Sequence, residues 1–216
     1  SFGQLRVRGA VAPRVYLSAH NVAAYLADDS TQVGQFGRFS LEVLLQADDD
    51  VDYAAFDNDG PDGVANSGDD DGVVDAVFIV IASAPANFLL GAATGIAGLG
   101  LEPGAGAPVS ADPVLPNVFC YDTGDLGAGG KPIRVSSRQG TIQQGRTLAV
   151  VVGSMCHEYG HLLGLPDLYN VSFLRTPGAL PEEDSAGVGR WCLMGWGAFG
   201  WQDQDGPTSL CAWSRW

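Results

Sequence analysis

His157 and His161 stand four positions apart with Glu158 between them, and they are two of only three histidines in the 216-residue chain. On a helix, side chains four apart share one face, with Cβ atoms about 5–6 Å from each other. Two imidazoles so spaced can grip one metal ion, and zinc suits nitrogen donors in a tetrahedral site. Glu158 lies about 100° round the helix from His157, beside the coordination position the histidines leave open. From there a carboxylate can take a proton from a water whose pKa zinc lowers to about 7. The chain continues Leu162-Leu163-Gly164-Leu165-Pro166-Asp167. Gly164 lets the backbone reverse where a Cβ would clash, and Asp167 can then return to the metal as a third ligand.

The five-residue motif fixes only three positions, so the competing reading is two capping histidines on an ordinary helix. The scarcity of histidine weakens that reading, and the longer pattern His-Glu-x-x-His-x-x-Gly-x-x-Asp is much rarer. It is the metzincin pattern with Asp in place of the usual third His. Downstream, Trp191-Cys192-Leu193-Met194-Gly195 suits the methionine turn that underlies such a site. A lone Met is more often core, yet Met194 is one of only two in the chain. His20 has no metal-like neighbours.

These residues need a scaffold. The apolar run at 148–163 predicts a helix, with Gly164 as its left-handed cap and Pro166 beyond. Residues 37–47 predict an amphipathic helix. Residues 76–82, Ala-Val-Phe-Ile-Val-Ile-Ala, read as a central strand covered on both faces. Short strands are expected at 4–8, 14–17, 118–121 and 133–135. The Gly-, Ala- and Pro-rich stretch 83–117 reads as a surface insertion. The tail from 165 shows little periodicity, and its tryptophans read as core filling. There is no internal repeat.

A net charge of -14 argues against nucleic acid or an anionic membrane as partner. The run at 88–101 is too short and Gly-rich to span a bilayer. The run at 148–165 is long enough, but it carries the zinc motif, and no further spans accompany it. Cys120, Cys156, Cys192 and Cys211 form no C-x-x-C unit, so a zinc knuckle is disfavoured. An even count in an acidic, Lys-poor chain fits an oxidising compartment, with four free buried thiols as the competing reading. Four cysteines allow three pairings; the expected one is Cys192 with Cys211, closing a Gly-rich loop, and Cys120 with Cys156.

Eleven aspartates and no Lys or Arg fall within 48–75. A solvated acidic loop is the ordinary reading of such a run. Here Asp57, Asp59, Asp62, Asp69, Asp71 and Asp75 alternate with Gly60, Gly63 and Gly72, which permit tight turns between hard oxygen ligands. Calcium takes about six to eight such oxygens. Phe78 stands where an EF-hand would need its bidentate glutamate, so an irregular loop site is expected.

Four stretches together resemble the immune inhibitor A family of secreted bacterial metallopeptidases. They are Ser1-Phe2-Gly3-Gln4-Leu5 through Val11; Phe56-Asp57-Asn58-Asp59-Gly60 through Phe78; Cys156 through Leu168-Tyr169; and Gly187-Val188-Gly189-Arg190-Trp191-Cys192-Leu193-Met194-Gly195 on to Pro207 and Ala212-Trp213. The resemblance implies that His157, His161 and Asp167 are zinc ligands, Glu158 the base and Met194 the turn methionine. It also implies extra segments before Ser1 and after Trp216. Several metzincins carry an oxyanion-stabilising tyrosine just after the turn methionine; Trp196 stands there, and Tyr169 is the weak substitute.

The expectation is therefore a single α/β metalloprotease catalytic domain over 1–216. A twisted mixed sheet over the zinc helix would form an upper lobe (1–164), and an irregular segment a lower one (165–216). Its function would be that of a secreted zinc endopeptidase acting on protein or peptide, with calcium as a second cofactor. The reading outside enzymes is a calcium-stabilised structural or adhesive domain with an inactive zinc site.

Overall fold

The computed structural model describes residues 7–27, 34–82, 88–89, 93–104, 107–144, 147–171, 187–202 and 205–215. In chain order its elements are helix α1 (Phe36–Ala47), strands β1 (Val77–Ile81), β2 (Gly95–Ala97), β3 (Val109–Ala111), β4 (Phe119–Leu126), β5 (Pro132–Ser136) and β6 (Gly140–Gln144), and helix α2 (Leu148–Leu162), with short 3₁₀ turns between and after them. The chain divides into two compact units. The first comprises Ser1–Asn21, Gly37–Val77 and Gly98–Gly140; the second comprises Val22–Phe36, Phe78–Ala97 and Thr141–Trp216.

In the first unit β3, β4 and β5 form an antiparallel sheet in that order, with Ser110 opposite Cys120 and Tyr121 opposite Val135. Leu44, Tyr53, Val74, Leu99, Tyr121, Ile133 and Val135 fill its core. α1 buries Ser40, Leu44 and Ala47, one stripe at helical spacing. The aspartate-rich segment is not a loose loop. Val74 N–H donates to the Arg134 carbonyl and Arg134 N–H to the Gly72 carbonyl, while the Asn66 side chain holds Ala128 N–H. Gly63, Asn66 and Gly72 take positive φ at its turns.

The second unit holds a three-stranded sheet in the order β1-β6-β2, with β2 antiparallel to β6 and Ile96 opposite Ile142. Tyr25, Ile79, Phe88, Leu89, Ile142, Cys192, Met194 and Ala198 are its buried apolar residues. α2 packs against β2 and against the 3₁₀ turn Trp196–Phe199. The Thr147 hydroxyl caps α2 by accepting from Val150 N–H. At its other end Gly164, at φ 83°, closes a Schellman motif: Gly164 N–H donates to the His161 carbonyl and Leu165 N–H to that of Gly160.

The two predicted helices and the strands at 77–81, 119–126 and 132–136 are present. Four expectations are corrected. The described residues form two small sheets rather than one. β1 lies at the end of its sheet with Val80 exposed, so it is not covered on both faces. Residues 7–8 and 14–17 form no strand; instead Arg14 and Tyr16 reach Asp50 through their side chains. The rest of the first expected strand lies outside the described residues. Finally, 83–117 is not a surface insertion. It supplies β2 and β3 and buries Phe88, Leu89, Leu99 and Leu101; positions 83–87, 90–92 and 105–106 fall outside the description.

The expected disulfides are also absent: all four cysteines are free. Cys120 lies in the first unit and Cys156 in the second. The Cys120 thiol contacts an Asp112 carboxylate oxygen. Cys192 Sγ accepts from Cys211 N–H, and both thiols contact the Ser214 hydroxyl. Three of the tryptophans do not fill a core either: Trp191, Trp201 and Trp213 are 75%, 51% and 78% exposed, while Trp196 is half-buried and Trp216 lies outside the described residues. Among the described residues no helix is long and apolar enough to cross a membrane.

Candidate metal centre

α2 presents His157 and His161 on one face, their rings 4.9 Å apart and nearly perpendicular. The turn after Gly164 brings Asp167 to them. Asp167 Oδ1 lies 3.0 Å from His157 Nε2 and 3.3 Å from His161 Nε2. One donor atom from each of the three residues lies within 4.8 Å of the other two. The opposite ring nitrogens are occupied. His157 Nδ1 is 2.8 Å from the Leu193 carbonyl and His161 Nδ1 is 2.7 Å from that of Leu165. A carbonyl only accepts, so each Nδ1 carries a proton; each Nε2 donates to Asp167 in the imidazolium form and offers its lone pair to a metal at the shared point in the neutral form. Two neutral imidazoles and a carboxylate converging in this way match a zinc donor set.

The charges answer one another. Burial opposes the ionised form of Asp167, but the hydrogen bonds to both histidines win and hold it well below the usual carboxylate range. Burial would lower both histidines; the hydrogen bonds to Asp167 and to the Leu193 and Leu165 carbonyls, with the charges of Asp167 and Glu158, together more than reverse this. Glu158 is 7% exposed. Its burial raises its pKa to about 7, against the pull of His157 and His161. A carboxylate near that value can both take and return a proton at neutral pH.

The segment after the third ligand is wedged under the helix. Met194 is fully buried, and a Cβ on Gly160 would collide with its sulfur. A Cβ on Gly153 would strike the Ala198 carbonyl. Gly153 and Gly160 are seven apart, hence on one face, and their missing side chains let the chain around Met194 reach α2. Leu168 N–H donates to the Met194 carbonyl, tying the Asp167 turn to the same segment. Tyr169 sits 6.2 Å from the His157 ring. Burial foremost, then Asp167 and Glu158, push its hydroxyl above the ordinary range.

Every residue predicted for zinc chemistry is thus in one place, Glu158, Gly164 and Met194 included. The sequence reading missed Gly160, although a glycine inside a good helix is a signal of close packing. It missed Gly95 and the strand around it altogether.

The acidic residues behave differently. Asp57, Asp59 and Asp70 bring one carboxylate oxygen each within 4.8 Å of the others. Asp70 was not among those expected. Asp57 is 1% exposed and its Oδ1 has no hydrogen-bond partner; burial first, then Asp70 and Asp71, raise its pKa to about 6. Asp62 and Asp71 accept from backbone N–H groups two residues on, at Val64 and Val73. Asp69 accepts from Asp62 N–H and the Ser67 hydroxyl, and Asp75 from Asn58 N–H. The cluster also accepts from the backbone, Asp57 from Gly72 N–H, Asp59 from Asp71 N–H and Asp70 from Gly60 and Ser67 N–H; the converging oxygens and the partnerless Asp57 Oδ1 set it apart.

No curated protein matches the chain. Residues 128–216, which hold β5, β6, α2 and everything after them, match the model of the immune inhibitor A peptidase M6 catalytic domain, and the resemblance read from the sequence holds over that part of the chain.

Proposed function

We propose that the chain is the catalytic part of a secreted zinc endopeptidase, with His157, His161 and Asp167 as ligands and Glu158 as general base. The observation that carries this is the convergence of two Nε2 atoms and one carboxylate oxygen, with both Nδ1 protons spoken for by backbone carbonyls. The match to a peptidase catalytic domain supports the reaction class. Secretion rests on the family resemblance and the acidic, Lys-poor composition.

A zinc ion bound there supplies Lewis acidity toward a carbonyl oxygen and lowers the pKa of a water to about 7. The chain's own part is proton handling. Glu158 takes the proton of the attacking water, whose oxygen bonds to the scissile carbonyl carbon. It then delivers that proton to the amine nitrogen as the C–N bond breaks, leaving a free carboxyl and a free amine. Leu193 and Leu165 hold the imidazoles in the tautomer this requires. A buried carboxylate beside two histidines favours this reading over a purely structural domain.

Calcium completes the proposal, at Asp57, Asp59 and Asp70. The support is the buried, partnerless Oδ1 of Asp57, since a buried carboxylate oxygen without a partner is costly.

The experiment is Glu158→Gln, assayed on casein and by metal analysis. It should retain about one zinc per chain and lose nearly all proteolysis. Casein digestion at the wild-type rate by this variant would refute the mechanism.

A further inference from the structure

β2 is only three residues long, yet it lies directly on the proposed base. Its hydrogen-bonded partner is β6, with Gly95 opposite Gln143 and Ala97 opposite Thr141. Just before it, the Thr94 hydroxyl is 3.1 Å from that of Ser154, which precedes Glu158 by one helical turn. The Thr94 carbonyl accepts from Gln144 N–H. The strand is therefore fixed to β6 on one side and to α2 beside Glu158.

A Cβ built on Gly95 would fall 2.5 Å from Glu158 Oε1, 2.8 Å from its Cγ and 2.9 Å from its Cδ. Its three nearest atoms all belong to that one side chain. Two residues on, the Ala97 backbone N–H is a hydrogen-bond donor to the Glu158 carboxylate. Gly95 does not have positive φ, so a turn conformation is not what calls for glycine.

We propose that Gly95 is a positioning residue for the base: lacking a side chain, it leaves the space in which the Glu158 carboxylate sits against β2. The inference rests on the reading of Glu158 as general base. It distinguishes two kinds of obstacle. The strand is pinned through Thr94 and the β6 pairing, whereas a glutamate can turn about three side-chain bonds. A methyl group at 95 therefore moves the carboxylate and leaves the fold alone. None of the three ligand residues is among the atoms a Cβ at 95 would meet first.

The test is Gly95→Ala, followed by steady-state kinetics on a peptide substrate, zinc analysis and thermal melting. Zinc content should stay at about one per chain, and the melting temperature within a few degrees of wild type. KM should be nearly unchanged, while kcat falls on the order of 100-fold, the scale of an ångström-sized misplacement. Glu158→Asp supplies the second arm, because its shorter side chain withdraws from the strand. In that background Gly95→Ala should cost less than about fivefold, the non-additivity expected of two residues acting through one contact. The inference is overturned if Gly95→Ala keeps kcat within about threefold, loses zinc, fails to fold, or costs as much in the Asp background as in the Glu one. If Glu158→Gln itself cleaves normally, the reading of the base has failed. If it is inactive and Gly95→Ala is not, only the positioning role has failed.

Discussion

At the scale of single residues, the cluster of His157, His161 and Asp167 was readable because few residue types bind metals and their spacing follows from helix geometry. His157 and His161 had to share a face, and Gly164 had to be able to turn. What could not be read was the support around them, because it is largely main chain. The Leu193 and Leu165 carbonyls orient the imidazoles, and any residue type could have supplied those oxygens. Asp167 offers a sharp test of the ligand set. Asp167→Asn keeps the shape but exchanges one oxygen for an NH₂ and removes the charge that both histidines face. Zinc affinity should fall by well over the 10–100-fold typical of losing an outer partner, which competition with a chromogenic chelator would measure. Wild-type affinity in that variant would remove Asp167 from the site.

At the scale of elements, α1 and α2 were legible because apolar spacing and caps carry helical information locally. β6 was not. It reads Gly-Thr-Ile-Gln-Gln, with Thr141 and Gln143 both buried and the Thr141 hydroxyl donating to Gln143 Oε1 at 2.7 Å, so no apolar alternation marks it. β2 is too short for any periodicity, and its Gly-rich surroundings look like loop. The expected strands near the start carried a β-like pattern with nothing to pair with among the described residues. Tertiary contact overrides propensity in α2 as well, where interior glycines cost about 1 kcal/mol each relative to alanine. Gly160→Ala recovers that amount in the isolated helix but forces a methyl group into Met194. Overpacking costs about 1–3 kcal/mol, so the net effect should be a loss of up to about 2 kcal/mol, seen as an earlier midpoint in urea unfolding. A later midpoint would mean that Met194 has room to move and does not wedge under the zinc helix.

At the scale of the whole molecule, the charge of -14 could be read from composition, but not which aspartates work together. Asp62, Asp69, Asp71 and Asp75 looked equivalent to Asp57 and Asp59, and all six accept from backbone N–H groups, but among the described residues it is Asp57, Asp59 and Asp70 whose carboxylate oxygens converge. Loop path decides that choice, and one-dimensional spacing does not encode it. The consequence for stability has a definite sign. The folded pKa of Asp57 is about 6, above the ordinary value of about 3.9 in an unfolded chain. Its contribution is thus fully present below about pH 4 and is lost as pH rises through 6, a change of up to about 3 kcal/mol. In chelator-stripped protein resupplied with zinc, the melting temperature should therefore fall between pH 4 and 7. Calcium binds the folded state and competes with the proton, so millimolar calcium should flatten or invert that slope. Asp57→Asn should show a shallower slope, since Asp71 and Asp75 are also raised, and no calcium response. Melting temperatures indifferent to calcium at pH 7, with a slope undiminished in Asp57→Asn, would show that the acidic segment holds its shape through its own hydrogen bonds alone.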